Sequence, residues 1–378
     1  MAKQFLIIIG KSLLFVGLLL GVAKLTQANL PYYWANDDFE YKYDYFAPIA
    51  SEYNVLFFGS SATYRHVIPS IFDNRAPESL RCKSFNFGVQ AMVNPEGPFI
   101  LRQMLKDPNL DLSNVKLIIM DMQEVSDLSL NNAMTPRGKY YLDWKSLQNE
   151  IYPQLDEAYP NPIKYKQNYF YAWLGKQFNV GLYTDIWDWH EKQNAPLDSG
   201  RFRKSLGGKL DGYYPLNRDF RFAWRNEQYM PDAEQDLMET MYKSIDHIMC
   251  EDQEGFKIIR RRQMRELYIE LIRDCKRKGI HLILVLQPRL DTRSMYPVLT
   301  YLPEEHSLNM ADPREFPEFY DIENVFDKGH FNHSGARAFT IGMMQKLKPR
   351  LDSLGTLWYD TPDSTALVDS LVTEAAIE

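Results

Sequence analysis

Residues 54–66 read Asn-Val-Leu-Phe-Phe-Gly-Ser-Ser-Ala-Thr-Tyr-Arg-His (NVLFFGSSATYRH). An apolar run stops at Gly59, and two serines follow. A short apolar run closed by a turn residue is the pattern of a buried strand. Ser is favoured where a helix starts, because its hydroxyl accepts a hydrogen bond from an otherwise unpaired backbone N–H. On its own the stretch is a strand running into a helix cap or a strand delivering a nucleophile.

The same rhythm recurs on both sides. Ser84–Val89 (SFNFGV) is expected to be a second strand ending in a Gly turn, Pro98–Lys106 a helix, and Val115–Met120 (VKLIIM) a buried strand ending at Asp121. Phe256–Lys278 is expected to be a long amphipathic helix, with Ile259, Leu267, Leu271 and Cys275 at helical spacing and Gly279 as its stop. His281–Leu286 (HLILVL) is again a buried strand, closed by Gln287-Pro288. A last unit at 327–340, DKGHFNHSGARAFT, leads into a helix through about Leu351. Strands alternating with helices predict an α/β fold, a parallel sheet with helices on both faces.

The rest of the chain divides by composition. Residues 1–28 carry Lys3 and Lys11 ahead of an apolar stretch, Ser12–Ala23, with Lys24 behind it. Counted from Phe5, the segment approaches the roughly 20 residues that span a bilayer. It is expected to be a transmembrane signal anchor, or a signal peptide cleaved after the weak site Thr26-Gln27-Ala28. Residues 29–53 are polar and aromatic, a linker expected to pack on the domain at 54–355. Residues 356–378 are a C-terminal tail. Within the domain, residues 131–255 are rich in Tyr, Trp, Asn and Pro and lack the strand rhythm, so an aromatic-rich insertion is expected. Most of its rings are expected to pack, with a few near Trp187–His190 or Tyr213-Tyr214 beside the substrate.

Bulk numbers exclude several classes. A net charge of -7 offers no basis for nucleic-acid binding. Cys82, Cys250 and Cys275 make no disulfide framework, and the seven His show no zinc-type spacing such as H-E-x-x-H. No metal and no cofactor are expected.

Ligands of parallel sheets bind outside the carboxyl ends of the strands. Three polar features fall at such ends: Gly59-Ser60-Ser61, Asn86-Phe87-Gly88 and Asp327-Lys328-Gly329-His330. A serine hydroxyl attacks only when a base takes its proton. An imidazole does so near neutral pH, and a carboxylate on its other nitrogen fixes the tautomer. Asp327 and His330 are three residues apart, close enough to lie on one side of a turn. Backbone N–H groups at Ser61 and Gly88 could serve an oxyanion. Arg65 and His66, one or two turns past the serines, and Asn86 are weaker candidates for substrate contact. Asn332 is expected to cap the last helix and His333 to be surface.

With these blocks in order, GSS, NFGVQA and DKGHFNHSGA, the chain resembles the SGNH/GDSL hydrolase superfamily. The resemblance covers 54–130 and 256–350 and leaves out the aromatic middle. It implies a flavodoxin-like three-layer α/β/α fold, with Ser61 as nucleophile, His330 as base and Asp327 as its orienter. Gly88 and the Ser61 backbone would be oxyanion donors. The sequence departs from the family twice. Ser60 stands where Asp is usual, as in membrane-anchored relatives that move acyl groups onto envelope polymers. The G-x-N-D block is missing; the strand continues IIMDMQEV (118–125), where Gln123 has the right amide chemistry to stand in.

The resemblance implies an outward-facing serine esterase or O-acyltransferase on a bacterial-type cell envelope, anchored in the inner membrane or released if the signal is cut. Its substrate would be an acylated glycan or another ester. The alternative is an inactive member of the fold that binds glycan or scaffolds a membrane acyltransferase partner.

Overall fold

The structure, a computed structural model, describes residues 2–92, 96–122, 134–152, 155–156, 161–183, 204–249, 258–288, 290 and 302–359. Gln123, Trp187–His190 and Cys250 lie outside these residues.

Five strands form one parallel sheet: β1 (Val55–Gly59), β2 (Ser84–Gly88), β3 (Leu117–Asp121), β4 (His281–Leu286) and β5 (Ser307–Asn309), in the order β2-β1-β3-β4-β5. In this doubly wound order, the chain reverses direction between β1 and β3, which opens a crevice at their carboxyl ends. Register brings Gly59 beside Gly88 and Phe58 beside Met120, so Asp121 ends next to Gly59. A small antiparallel pair, β6 (Val325–Asp327) and β7 (His330–Phe331), carries the late polar block.

Helices cover both faces. Eleven helices are named here in chain order: α1 (Ala2–Ala28), α2 (Asp37–Phe46), α3 (Ser61–His66), α4 (Pro69–Arg75), α5 (Glu96–Met104), α6 (Pro136–Tyr141), α7 (Ile163–Gln177), α8 (Ala223–Tyr229), α9 (Ala233–Met249), α10 (Ile258–Lys276) and α11 (His333–Tyr359). On one face Val55, Phe57, Leu117, Ile119, Ile283 and Val285 pack with Phe72 of α4, Leu237 of α9 and Phe339, Met343 and Leu347 of α11. Strand residues of the opposite parity, Leu56, Phe58, Ile118, Met120, Leu282 and Leu284, are equally buried. The near-continuous apolar strands seen in the sequence follow from this two-sided burial. Gly279, at φ +70°, turns the chain from α10 into β4 as expected.

The expected linker is largely helical. Phe39 and Phe46 of α2 sit against Phe58, Phe85 and Phe87. Between them Lys42 is fully buried, and its ammonium donates to the carbonyls of Asn86, Gly88 and Gly212 at 2.9, 2.5 and 2.8 Å. Three donors meet three acceptors, which is what a buried ammonium requires.

The expected insertion at 131–255 splits. One compact unit comprises 1–37 with 125–196, and the other comprises 38–124 with 197–378. The partition follows hydrogen bonds. Residues 204–219 bind the sheet unit, where Asp211 O accepts from Asn86 N on the edge strand β2 at 2.8 Å. In the other unit, the end of α7 bonds α1. Within that unit α1 is long and apolar enough to cross a membrane, and its apolar side chains are exposed from Phe5 to Leu25 save at Leu20, which is half-buried, and Ala23, which is buried.

His281 and His306 stack at 4.6 Å between ring centroids at the start of β4 and before β5. Burial, with His306 beside it, pushes His281 down to about 4, below the usual imidazole range. Unfolded, the same ring takes up its proton near about pH 6.5. His281 therefore favours the fold fully above that pH, and the contribution is lost as pH falls from about 6.5 toward 4, by about 3 kcal/mol at most. Denaturant unfolding at about pH 7.5 and about pH 5 should show this loss, and His281→Gln should flatten it.

Candidate active site

Ser60 is the N-cap of α3, and Ser61 is its first residue. The Ser60 hydroxyl accepts from Ala62 N at 3.2 Å and donates to Asp121 Oδ2 at 2.5 Å, while Ser60 N donates to the same carboxylate oxygen at 2.9 Å. Gly59 makes this possible. At φ +152° it lets the buried Asp121 carboxylate lie over the turn, where a Cβ would meet Asp121 Oδ1 at 2.0 Å. Ser60 thus secures the turn, and Ser61 projects the free hydroxyl.

That hydroxyl meets the late block. Ser61 Oγ and His330 Nε2 are 2.9 Å apart, and His330 Nδ1 and Asp327 Oδ1 are 2.8 Å apart. The structure brings these three sequence-predicted residues into one hydrogen-bonded chain. Asp327 also accepts from Gly329 N at 2.9 Å and has the Arg225 guanidinium of α8 at 3.7 Å from its second oxygen. Burial alone would raise its pKa; the hydrogen bond from His330, the Gly329 N–H and Arg225 outweigh it and hold the carboxyl below its usual range. Asp327 is therefore ionised, as an orienter of an imidazole N–H must be.

The other sequence-predicted residues sit elsewhere than expected. Asn86 is fully buried; its amide donates to Thr63 O and Val67 O at 2.9 and 2.8 Å and accepts from Gly88 N at 2.7 Å. It grips α3 and has no surface for substrate. The Gly88 N–H is occupied by that bond, so it is not offered to an oxyanion here. Gly88 is needed for closeness: a Cβ there would meet Tyr64 N at 2.2 Å. Arg65 is also buried, paired with Asp219 at 3.3 Å, donating to Tyr214 O at 2.8 Å and lying over the Tyr64 ring. It pins the 204–219 segment and faces no ligand. The Ser61 N–H, first in its helix, makes no hydrogen bond among the described residues. Gln123 lies outside them.

A second buried chain of bonds was not foreseen. Phe331 N donates to His66 Nε2 at 3.1 Å, so His66 carries its proton on Nδ1 and donates to Gln287 Oε1 at 2.8 Å. Gln287 Nε2 then donates to Thr63 Oγ1 at 3.1 Å. This chain ties β7, which carries His330, to the helix that carries Ser61. In the sequence His66 reads as a helix histidine and a candidate for substrate contact and Gln287 as a strand-end amide; their pairing spans 221 positions. Asp121 gave a signal, a carboxylate at the end of β3, but an amide was sought there.

A cavity of about 500 Å³ is lined by Phe326 and Asn332, chain neighbours of the Asp327–His330 block, with Phe220, Asn226, Glu227 and His333 among others; Ser61, Asp327 and His330 do not line it. Tyr213 is buried and its OH bonds His333 Nδ1 at 2.9 Å, while His333 itself is exposed, as expected. Asn332 Oδ1 accepts from Gly335 N at 3.1 Å at the start of α11, as its capping role requires. Among the described residues no cluster of three His, Cys, Asp or Glu is placed to hold a metal.

Comparison of the chain with protein-family models, with curated proteins and with solved structures finds no match.

Replacing Gln287 by Leu removes the bridge between His66 and Thr63 and strands a buried imidazole N–H. Thermal or denaturant unfolding should register a loss of about 1–3 kcal/mol. An unchanged midpoint would mean the bridge does not hold α3 to the end of β4.

Proposed function

We propose that the chain is an SGNH-type serine hydrolase or O-acyltransferase, acting on acyl esters of an envelope glycan from the outer side of a membrane. The observation that carries this reading is the unbroken chain Ser61–His330–Asp327 at the carboxyl end of β1. The 2-1-3-4-5 sheet with a crevice beside β1 supports it, because that is where ligands of such sheets bind. The apolar α1 supports the location.

The chemistry follows from the geometry. Ser61 Oγ attacks the ester carbonyl carbon as its proton passes to His330 Nε2. The imidazolium that forms is stabilised by the ionised Asp327 on its other nitrogen. The tetrahedral oxyanion is met by the Ser61 N–H at the start of α3; losing one such donor typically costs about 2.7–4 kcal/mol. His330 then returns the proton to the departing alkoxide oxygen, leaving acyl-Ser61. Water, or a sugar hydroxyl for transfer, gives its proton to His330 and attacks the acyl carbon, and Ser61 Oγ leaves with that proton. The neighbouring cavity, with amide, carboxylate and aromatic groups, suits a hydroxyl-rich acceptor or leaving group.

One observation favours the alternative, an inactive fold that binds glycan or scaffolds a membrane acyltransferase. The N–H groups of Ser60 and Gly88 are both engaged by side chains, which leaves Ser61 N–H as the oxyanion donor among the described residues.

A fluorophosphonate probe separates the two. The wild-type chain should be labelled, and Ser61→Ala should not. Asp327→Asn should slow labelling by about 10³–10⁴-fold, and Ser60→Ala should keep it while costing about 1 kcal/mol of stability through the lost cap. A folded wild-type chain that takes no label supports the inactive reading.

A further inference from the structure

Helix α7 is amphipathic in an unusual sense. Its inward face, Tyr169 and Ala172, packs with Leu142, Leu147, Ile151 and Leu155. Its outward stripe is largely apolar, interrupted by the exposed Gln167. Ile163, Tyr171 and Leu174 are exposed at 63%, 60% and 36%, and these positions fall on one side of a helix. Phe170 joins them, its ring tilted against Trp173 at 5.6 Å, and Trp173 lies 5.0 Å from Trp144, itself exposed. The helix IKYKQNYFYAWLGKQ holds three Lys and no Asp or Glu. Lys166 pairs with Asp156 and Lys176 donates to the carbonyls of Tyr140 and Leu142, so Lys164 is the exposed lysine of the helix, and the apolar and aromatic groups beside it are poorly matched to water.

What covers it is indicated by α1. The end of α7 is bonded to the end of α1: Gln27 Nε2 donates to Lys176 O and Asn179 Oδ1 at 2.5 and 2.7 Å, Lys24 Nζ to Gln177 Oε1 at 2.7 Å, and Asn179 Nδ2 to Ala23 O at 3.3 Å. These bonds involve only the last turns of the two helices. Upstream, the apolar side chains of α1 are exposed save at Leu20. If α1 crosses a bilayer, its last turn lies at the bilayer boundary, since about 20 residues span the hydrocarbon. The same bonds hold the C-terminal end of α7 at that boundary. Trp and Tyr are enriched in this layer, and Lys there meets anionic headgroups.

We infer that the Ile163–Phe170–Tyr171–Leu174 stripe, with Trp144, seats in the headgroup layer of the membrane that α1 crosses, as a second contact that fixes the unit on the bilayer. The inference rests on α1 being an uncleaved anchor, and it does not depend on the catalytic reading.

The test uses the full chain in vesicles of phosphatidylcholine and phosphatidylglycerol. Its three native cysteines are replaced by Ala, and a nitroxide is attached through Tyr171→Cys or Leu174→Cys. Collisions with oxygen should exceed those with a water-soluble nickel chelate by severalfold at both sites. Water-like ratios at 171 and 174, in a chain that alkaline carbonate leaves in the membrane, overturn the seating of the stripe while the anchor stands. Extraction by carbonate, or an N-terminus found beginning after residue 28, removes the anchor and the inference with it. Far-UV circular dichroism of each variant guards against misfolding.

Discussion

A helix of six residues cannot hold itself. Helix nucleation is costly, and a turn and a half of α3 has almost no internal hydrogen bonds to offset it. The nucleophile candidate nevertheless sits on that helix, so the structure grips α3 from outside at every exposed end. Ser60 and Asp121 secure its start. The Asn86 amide takes Thr63 O and Val67 O at its finish. Thr340 of α11 bonds both His66 O and Ile68 N. Gln287 reaches Thr63 from the end of β4. Most of the buried polar residues around the site are accounted for by this one need.

The same constraint explains the buried charges. Lys42 and Arg65 are strongly desolvated, and ion pairs or ammonium groups in such places are weak sources of net stability. Their partners, however, belong to segments far apart in the chain. Lys42 joins α2 to the end of β2 and to Gly212; Arg65 joins α3 to Asp219 and Tyr214. Removing one partner leaves an uncompensated charge, so only one arrangement of the 204–219 segment against α3 satisfies both. These residues set which segment lies where, and the apolar strands supply most of the burial.

β1, β3 and β4 were legible because they are buried on both faces and so read as apolar runs, whereas the edge strand β5, Ser-Leu-Asn with only Leu308 buried, gave no such signal. Ser61, His330 and Asp327 were legible because each lies at a strand end and two of them are three residues apart. What escaped the sequence is direction. Asn86-Phe87-Gly88 marked a turn at the right place, but nothing local says that the Asn amide points back at α3 and occupies the Gly88 N–H. Arg65 looked like a candidate for substrate contact because its carboxylate partner is 154 residues downstream. The insertion boundary failed for a related reason. Composition is uniform across 131–255, whereas membership of a unit depends on which backbone groups the segment bonds.

The late block reaches β1 without belonging to the main sheet, and that separates two jobs that one strand would have to share. β1 and β3 form the crevice and fix Ser60, Ser61 and Asp121 on rigid backbone. His330 arrives on a two-residue strand, held to α3 by the bond from Phe331 N to His66 and followed at once by α11, whose Phe339, Met343 and Leu347 are buried against the sheet. The imidazole is thus positioned by one neutral histidine and one packed helix, and its distance to Ser61 depends on α3 being gripped correctly. A nucleophile and a base carried on separate elements need such a coupling, because a shift of either by about 1 Å costs orders of magnitude in rate. Here the coupling is the His66–Gln287–Thr63 chain, which fastens the base's strand and the nucleophile's helix to the same strand end.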